Sequence, residues 1–124
     1  MSNATQARVA AWSALEVDRP MGLLERRRMV GDKAMISHIT LFKGCDVPMH
    51  QHENEQFSAV LSGKLRFSLG RPDEQGRTTV DVGPGEVIHL PSGLPHGAIA
   101  VEETVVLDIF SPPSAGTGID RPRG

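Results

Sequence analysis

The sequence predicts an all-β chain folded as an antiparallel double-sheet β-barrel, on three observations. Glycine and proline are frequent, at 13 and 9 of 124 residues, and recur as turn signals at short intervals. Between those signals lie about eight short strand-like stretches with no room for helices. No segment carries a sustained apolar stripe of helical period. The length suits a single domain large enough to bury a core.

Charge narrows the partners. With 13 Lys+Arg against 15 Asp+Glu and a net charge of −2, no extended basic surface is available for nucleic acid or anionic lipid. No run approaches the roughly 18 apolar residues that cross a bilayer, and the N-terminus lacks a secretory pattern, so a cytoplasmic location is expected. The single cysteine, Cys45, cannot close an internal disulfide, which agrees with a reducing compartment.

Taken in order, residues 1–19 are expected to form an arm, with Trp12, Leu15 and Val17 in a short helical turn or an extended stretch. The barrel is expected over 20–113, and the Gly, Ser and Pro content of 114–124 predicts a disordered tail. After the break at Pro20-Met21-Gly22, Leu23 to Val30 reads as a strand carrying Arg26, Arg27 and Arg28, whose plain reading is a solvated face. Ala34 to Lys43 is a second strand, rich in Ile, Thr and Phe. His38 within it reads as an ordinary strand histidine.

Phe57 to Leu61 and Lys64 to Leu69 flank Ser62-Gly63 as an expected hairpin. In the second arm Leu65, Phe67 and Leu69 alternate with Lys64, Arg66 and Ser68, giving one dry and one wet face. A polar loop over 70–76 precedes a strand from Arg77 to Val82. Gly83-Pro84-Gly85 turns into Glu86 to Leu90, and Pro91 to Pro95 turns into His96 to Val101. Thr104 to Phe110 is the last strand. Its even positions Thr104, Val106, Asp108 and Phe110 oppose Val105, Leu107 and Ile109, so both faces carry apolar residues and need cover. Phe57, Ala59 and Leu61 repeat the pattern, and a homodimer is the expected source of outer cover.

The chemistry concentrates between Gly44 and Gly63. His50 and His52, one residue apart in an extended segment, point to the same side, and Gln56 adds an amide oxygen on the same parity. Imidazole suits iron, nickel, copper and zinc. A third imidazole comes from His96, which follows the Pro91–Pro95 turn and opens a strand able to close over the first segment.

These residues resemble the motifs of the cupin superfamily. Gly44, His50, His52, Gln56 and Gly63 match the spacing of the first motif, with Gln in place of Glu. Gly85, Pro91, Gly93 and His96 match the second, with Ala100 in place of Asn. The resemblance implies a cupin jelly roll and one divalent transition metal, Zn, Ni, Fe or Mn, held by His50, His52, Gln56 and His96. A neutral amide in place of a carboxylate leaves the ion's full charge facing the ligand, which favours anionic oxygen ligands and Lewis-acid chemistry.

A narrower resemblance joins His50-x-His52-x-x-x-Gln56, the stretch Val60 to Phe67, Pro91 to Gly97 and Leu107 to Pro113. Together these look like the KdgF family of small cupins, associated with pectin degradation. It implies a small acidic molecule as partner and the conversion of a 4,5-unsaturated uronate to its linear keto form. It maps the reacting residues to Asp108 and Phe110. The family's arginine after Ser-Pro-Pro is Ser114 here, which leaves Arg26, Arg27 or Arg28 to meet the substrate carboxylate. The alternatives are a non-catalytic module that binds an acidic metabolite, and a metal-dependent lyase or dioxygenase acting on another small acid.

Overall fold

The computed structural model describes residues 6–70 and 78–114. Most of the expected polar loop after Gly70, and the expected tail beyond Ser114, lie outside these residues. Ten strands are present: β1 Asp18–Met21, β2 Leu24–Val30, β3 Met35–Leu41, β4 Asp46–His50, β5 Glu55–Ser62, β6 Leu65–Leu69, β7 Thr78–Val82, β8 Val87–Leu90, β9 His96–Ala100 and β10 Thr104–Ser111. They form one six-stranded sheet in the order β1-β2-β3-β10-β5-β8 and one four-stranded sheet in the order β4-β9-β6-β7. Every pairing is antiparallel.

One strand, β1, exceeds the expectation, and the extended histidine segment forms β4. β1 begins within the stretch read as an arm and pairs with β2 across a turn at Gly22, and β4 carries the first histidine. Before β1 the chain makes one 3-10 turn, Trp12–Ala14, and the Trp12 ring lies 5.1 Å from that of His38. No helix among the described residues is long and apolar enough to cross a membrane.

The expected hairpin at Ser62-Gly63 is corrected. β5 pairs with β10 and β8, whereas β6 pairs with β7 and β9, so this corner carries the chain from one sheet to the other. The cause is that both strands have a dry face. Val60 of β5 and Leu65 and Phe67 of β6 are buried in the same core and face each other across it. Gly63 makes the corner with φ +89°, and a Cβ there would strike Glu103 O and Thr104 Oγ1. Thr104 Oγ1 accepts from Lys64 N at 3.0 Å and bonds Glu102 O at 2.9 Å, which ties the corner to the start of β10.

Period-two alternation fixes the interior. In β3 every odd residue from Met35 to Leu41 is buried, and in β10 every even residue from Thr104 to Phe110. The opposite faces of β5 and β10 leave Phe57, Leu61 and Ile109 exposed, the apolar outer surface that the sequence predicts. Cys45 is free and buried, and burial pushes its thiol pKa up.

Candidate metal centre

Three imidazoles converge at one end of the barrel. His50, the last residue of β4, is the register partner of His96, the first of β9, and their ring centroids lie 4.4 Å apart. His52 does not extend the strand as period two suggests. It sits in the loop after β4, with its ring 5.6 Å from His50 and 5.0 Å from His96. A nitrogen from each ring lies within 4.8 Å of the others.

Backbone carbonyls aim the rings. Nδ1 of His50 faces Pro48 O at 2.7 Å, that of His52 faces Asn54 O at 3.1 Å, and that of His96 faces Leu94 O at 2.8 Å. A carbonyl only accepts, so each Nδ1 carries the proton and each Nε2 keeps its lone pair. Nε2 of His52 and of His96 is buried without a partner. Buried acceptors left open in this way fit a metal ion, and a carbonyl that accepts from the far nitrogen of each ring is the usual arrangement of metal-bound histidine. Burial lowers the pKa of His50, and it pushes His96 down to about 4, so both stay neutral and ready to ligate.

The loop holding His52 is pinned from both sides. His52 O accepts from Gly93 N at 2.9 Å, which joins the first histidine segment to the Pro91–Leu94 turn. Gly93 turns with φ +81°, a conformation that favours glycine. Asn54, buried, donates from Nδ2 to Pro112 O beyond β10.

Beside the imidazoles a polar relay crosses the inner wall. Gln56 Nε2 donates to Ser58 Oγ at 2.9 Å, and Ser58 Oγ donates to Asp108 Oδ1 at 2.6 Å. The Gln56 amide oxygen makes no hydrogen bond among the described residues. Burial raises the Asp108 pKa to about 6, against the hydrogen bond from Ser58, which lowers it. Asp108, Gln56 and Phe110 line one cavity of about 40 Å³ together with His50 and His96. Phe110 also presents its ring edgewise to His52, with centroids 5.9 Å apart.

The three arginines separate by alternation. Arg26 points inward, is buried, and grips Asp18 through Nε at 3.1 Å and Nη2 at 2.7 Å, so it is no part of a solvated face. Arg27 has the opposite parity and lies opposite His38 in register on the outer surface. Arg28 returns to the inner face, half-buried, with Nη2 3.7 Å from Asp18 Oδ2. Burial works to raise the Asp18 pKa, but Arg26, with Arg28 behind it, holds it below the ordinary value.

Asn54, Ser37 and Ser58 are buried polar residues beside the candidate ones that the sequence does not single out. The parity of 54, 56, 58 and 60 could have found two of them, since all four share the buried face. Ser37 needed the pairing of β3 with β10, which places it opposite Asp108.

Fold and site together define a double-sheet barrel with a three-histidine, metal-capable pocket at one end. The chain belongs to the cupin family, whose cupin domain matches residues 37–110. Over 56 residues, 44% of this chain, it is 38% identical to the oxalate decarboxylase OxdC of Bacillus subtilis (strain 168), a match that spans 14% of that relative's length. The structure of KdgF from Halomonas sp. superposes with a TM-score of 0.79 at 21% identity, over 89% of this chain and 97% of that one. An RmlC-like cupin from Shewanella frigidimarina NCIMB 400 gives 0.78 at 21% identity, over 89% and 95%. These structural likenesses show the fold.

Proposed function

We propose that the protein is a metal-dependent enzyme that converts a 4,5-unsaturated uronate, or a related acidic sugar, to its linear keto form. The observation that carries this reading is Asp108, a buried carboxyl with its pKa raised to about 6, set in the same cavity as two of the three histidines. A carboxyl with that pKa keeps a protonated fraction near neutrality, so it can both give and take a proton.

His50, His52 and His96, with the Gln56 amide oxygen as fourth donor, would hold one divalent transition metal; when bound, it supplies a Lewis-acid centre for anionic oxygen. The bond between the anomeric carbon and the ring oxygen breaks as the anomeric hydroxyl gives up its proton and becomes an aldehyde; Asp108 delivers a proton to the alkene carbon and the former ring oxygen becomes the ketone, so the conversion is redox-neutral and needs no co-substrate. Ser58 orients that carboxyl, and Phe110 forms an apolar wall that excludes water. The motif resemblance to the KdgF family supports the choice of substrate class, and the shared fold agrees with it.

The test is incubation of metal-loaded protein with unsaturated galacturonate while following loss of the alkene absorbance. Loss faster than the spontaneous rate is expected, and an unchanged rate removes the proposal. A second reading, a lyase for a small acid, draws on the partial match to an oxalate decarboxylase and on the small size of the cavity beside the histidines. Release of carbon dioxide from oxalate by the same preparation would select it. For the assembly, the exposed apolar face of β5 and β10 supports a homodimer, and light scattering should return twice the monomer mass.

A further inference from the structure

The cavity of about 40 Å³ beside the histidines is too small for a six-carbon sugar acid, yet a second cavity is lined by residues of β1, β2 and β3 and by those just after β10. Its volume is about 620 Å³, and Arg28, Glu16, Asp18, Met35 and Ser114 contribute to its walls. Ligand pockets commonly enclose roughly 300–1,000 Å³.

The two cavities share no lining residue, but strand register relates their walls. Val30, Met35, Phe110 and Gln56 form one rung across β2, β3, β10 and β5. The next rung, on the same inner face, is Arg28, Ser37, Asp108 and Ser58. Met35 and Arg28 therefore border the larger cavity while their rung-mates Phe110 and Asp108 border the smaller. With strands spaced about 4.8 Å apart, Arg28 and Asp108 are roughly 10 Å apart along the rung. A monosaccharide can bridge that interval.

Two groups on this rung have unmet bonding capacity. Ser37, at 1% exposure, has a buried hydroxyl with no partner, and such groups call for a ligand or a water. Arg28 makes an ion pair at 3.7 Å but no hydrogen bond among the described residues, because Arg26 already takes both oxygens of Asp18. Two guanidiniums thus share one carboxylate there. The lining also suits a hydroxylated acid over a small dianion. Arg28 offers a planar fork to a carboxylate, while Glu16 and Asp18 accept from hydroxyls and repel a second negative charge.

We infer that Arg28 anchors the carboxylate of the acidic substrate and that Ser37, between Arg28 and Asp108, hydrogen-bonds the body of the same ligand. This deepens the proposed function and rests on it for the identity of the substrate. Arg28 acts by binding and Asp108 by chemistry, so their substitutions separate kinetically.

The test uses metal-loaded full-length protein. Arg28→Gln should raise KM for unsaturated galacturonate about tenfold to a hundredfold with kcat nearly unchanged, and Ser37→Ala should raise KM several-fold, about the loss of one hydrogen bond. Arg66→Gln makes the same charge change on the other sheet, where Arg66 pairs with Asp81, and should leave both constants unchanged. Calorimetry with galacturonate and with galactose gives an independent readout, in which wild-type protein prefers the acid and Arg28→Gln loses that preference. Turnover by wild-type protein with unaltered Arg28→Gln kinetics overturns the inference and leaves the function standing. Absence of wild-type turnover with an Arg28-dependent preference for the acid removes the function and leaves the inference. No preference for the acid in wild-type protein overturns the inference in either case.

Discussion

Ser58 Oγ donates a 2.6 Å hydrogen bond to Asp108 Oδ1, from directly opposite in the β5–β10 register. Burial drives the carboxyl up to about 6 and this bond holds it back. In Ser58→Ala the Asp108 pKa should rise further, and the pH–rate profile for alkene loss should shift to higher pH by about a unit, as expected when a charged group loses one hydrogen bond. Carbon NMR of the labelled carboxyl in metal-free protein checks the shift directly.

Asp108→Asn should separate stability from activity. The folded pKa of about 6 lies above the ordinary 3.8, so between those values the unfolded chain binds fewer protons and stability falls as pH rises. The cost is absent below about 4 and complete above about 6. Replacement by Asn should therefore stabilise metal-free protein at pH 8 by on the order of 2 kcal/mol, change little at pH 4, and lower turnover about a hundredfold or more. Urea unfolding at the two pH values and the alkene assay report the two effects.

The histidines carry the opposite sign. His96, pushed from 6.5 down to about 4 chiefly by burial and further by His50 and His52, binds fewer protons folded than unfolded in that window. Its contribution is full above 6.5 and lost as pH falls toward 4, and the lowered His50 adds to it. Metal-free protein should lose stability on acidification through this range, and Asp108→Asn should lose it more steeply because the opposing slope is gone. Bound metal should be released over the same interval, as measured by elemental analysis after dialysis.

Asn54 holds the His52 loop to the end of β10 through Pro112 O. Asn54→Ala leaves every imidazole in place but frees the loop, and metal affinity should fall about tenfold, in the range for loss of a supporting contact. Competition with a chelator measures it, and unchanged affinity would show that the Gly93 contact alone positions His52.

At the corner between sheets, a Cβ on Gly63 would lie 2.6 Å from Thr104 Cα at a φ of +89°. Gly63→Ala should destabilise the fold by about 2–4 kcal/mol, combining backbone strain with a steric clash. Denaturant unfolding would show it as a lower midpoint with an unchanged slope.

Period-two alternation and turn residues made the barrel readable from sequence, because a side chain's face in a strand depends only on parity. That is why the two faces of β10 were legible without coordinates, although both carry apolar residues and only the packed sheets make the even one the buried face. Chain alone did not disclose which strands pair. The corner at Gly63 reads as a hairpin until β5 and β6 are seen in separate sheets, since local turn chemistry is the same in both cases.

By itself the sequence determined the all-β class, brought forward the three histidines with Gln56, and put Asp108 and Phe110 on one face of a strand. Tertiary structure decided where His52 sits, which arginine lines the larger cavity, and that Ser37 and Ser58 flank Asp108. The physical reason is that alternation is a property of one chain segment, whereas register, rung and cavity belong to pairs of segments far apart in sequence. Two imidazoles announce a metal site by their spacing. Arg28 joins the proposed site only when β2, β3 and β10 are laid side by side.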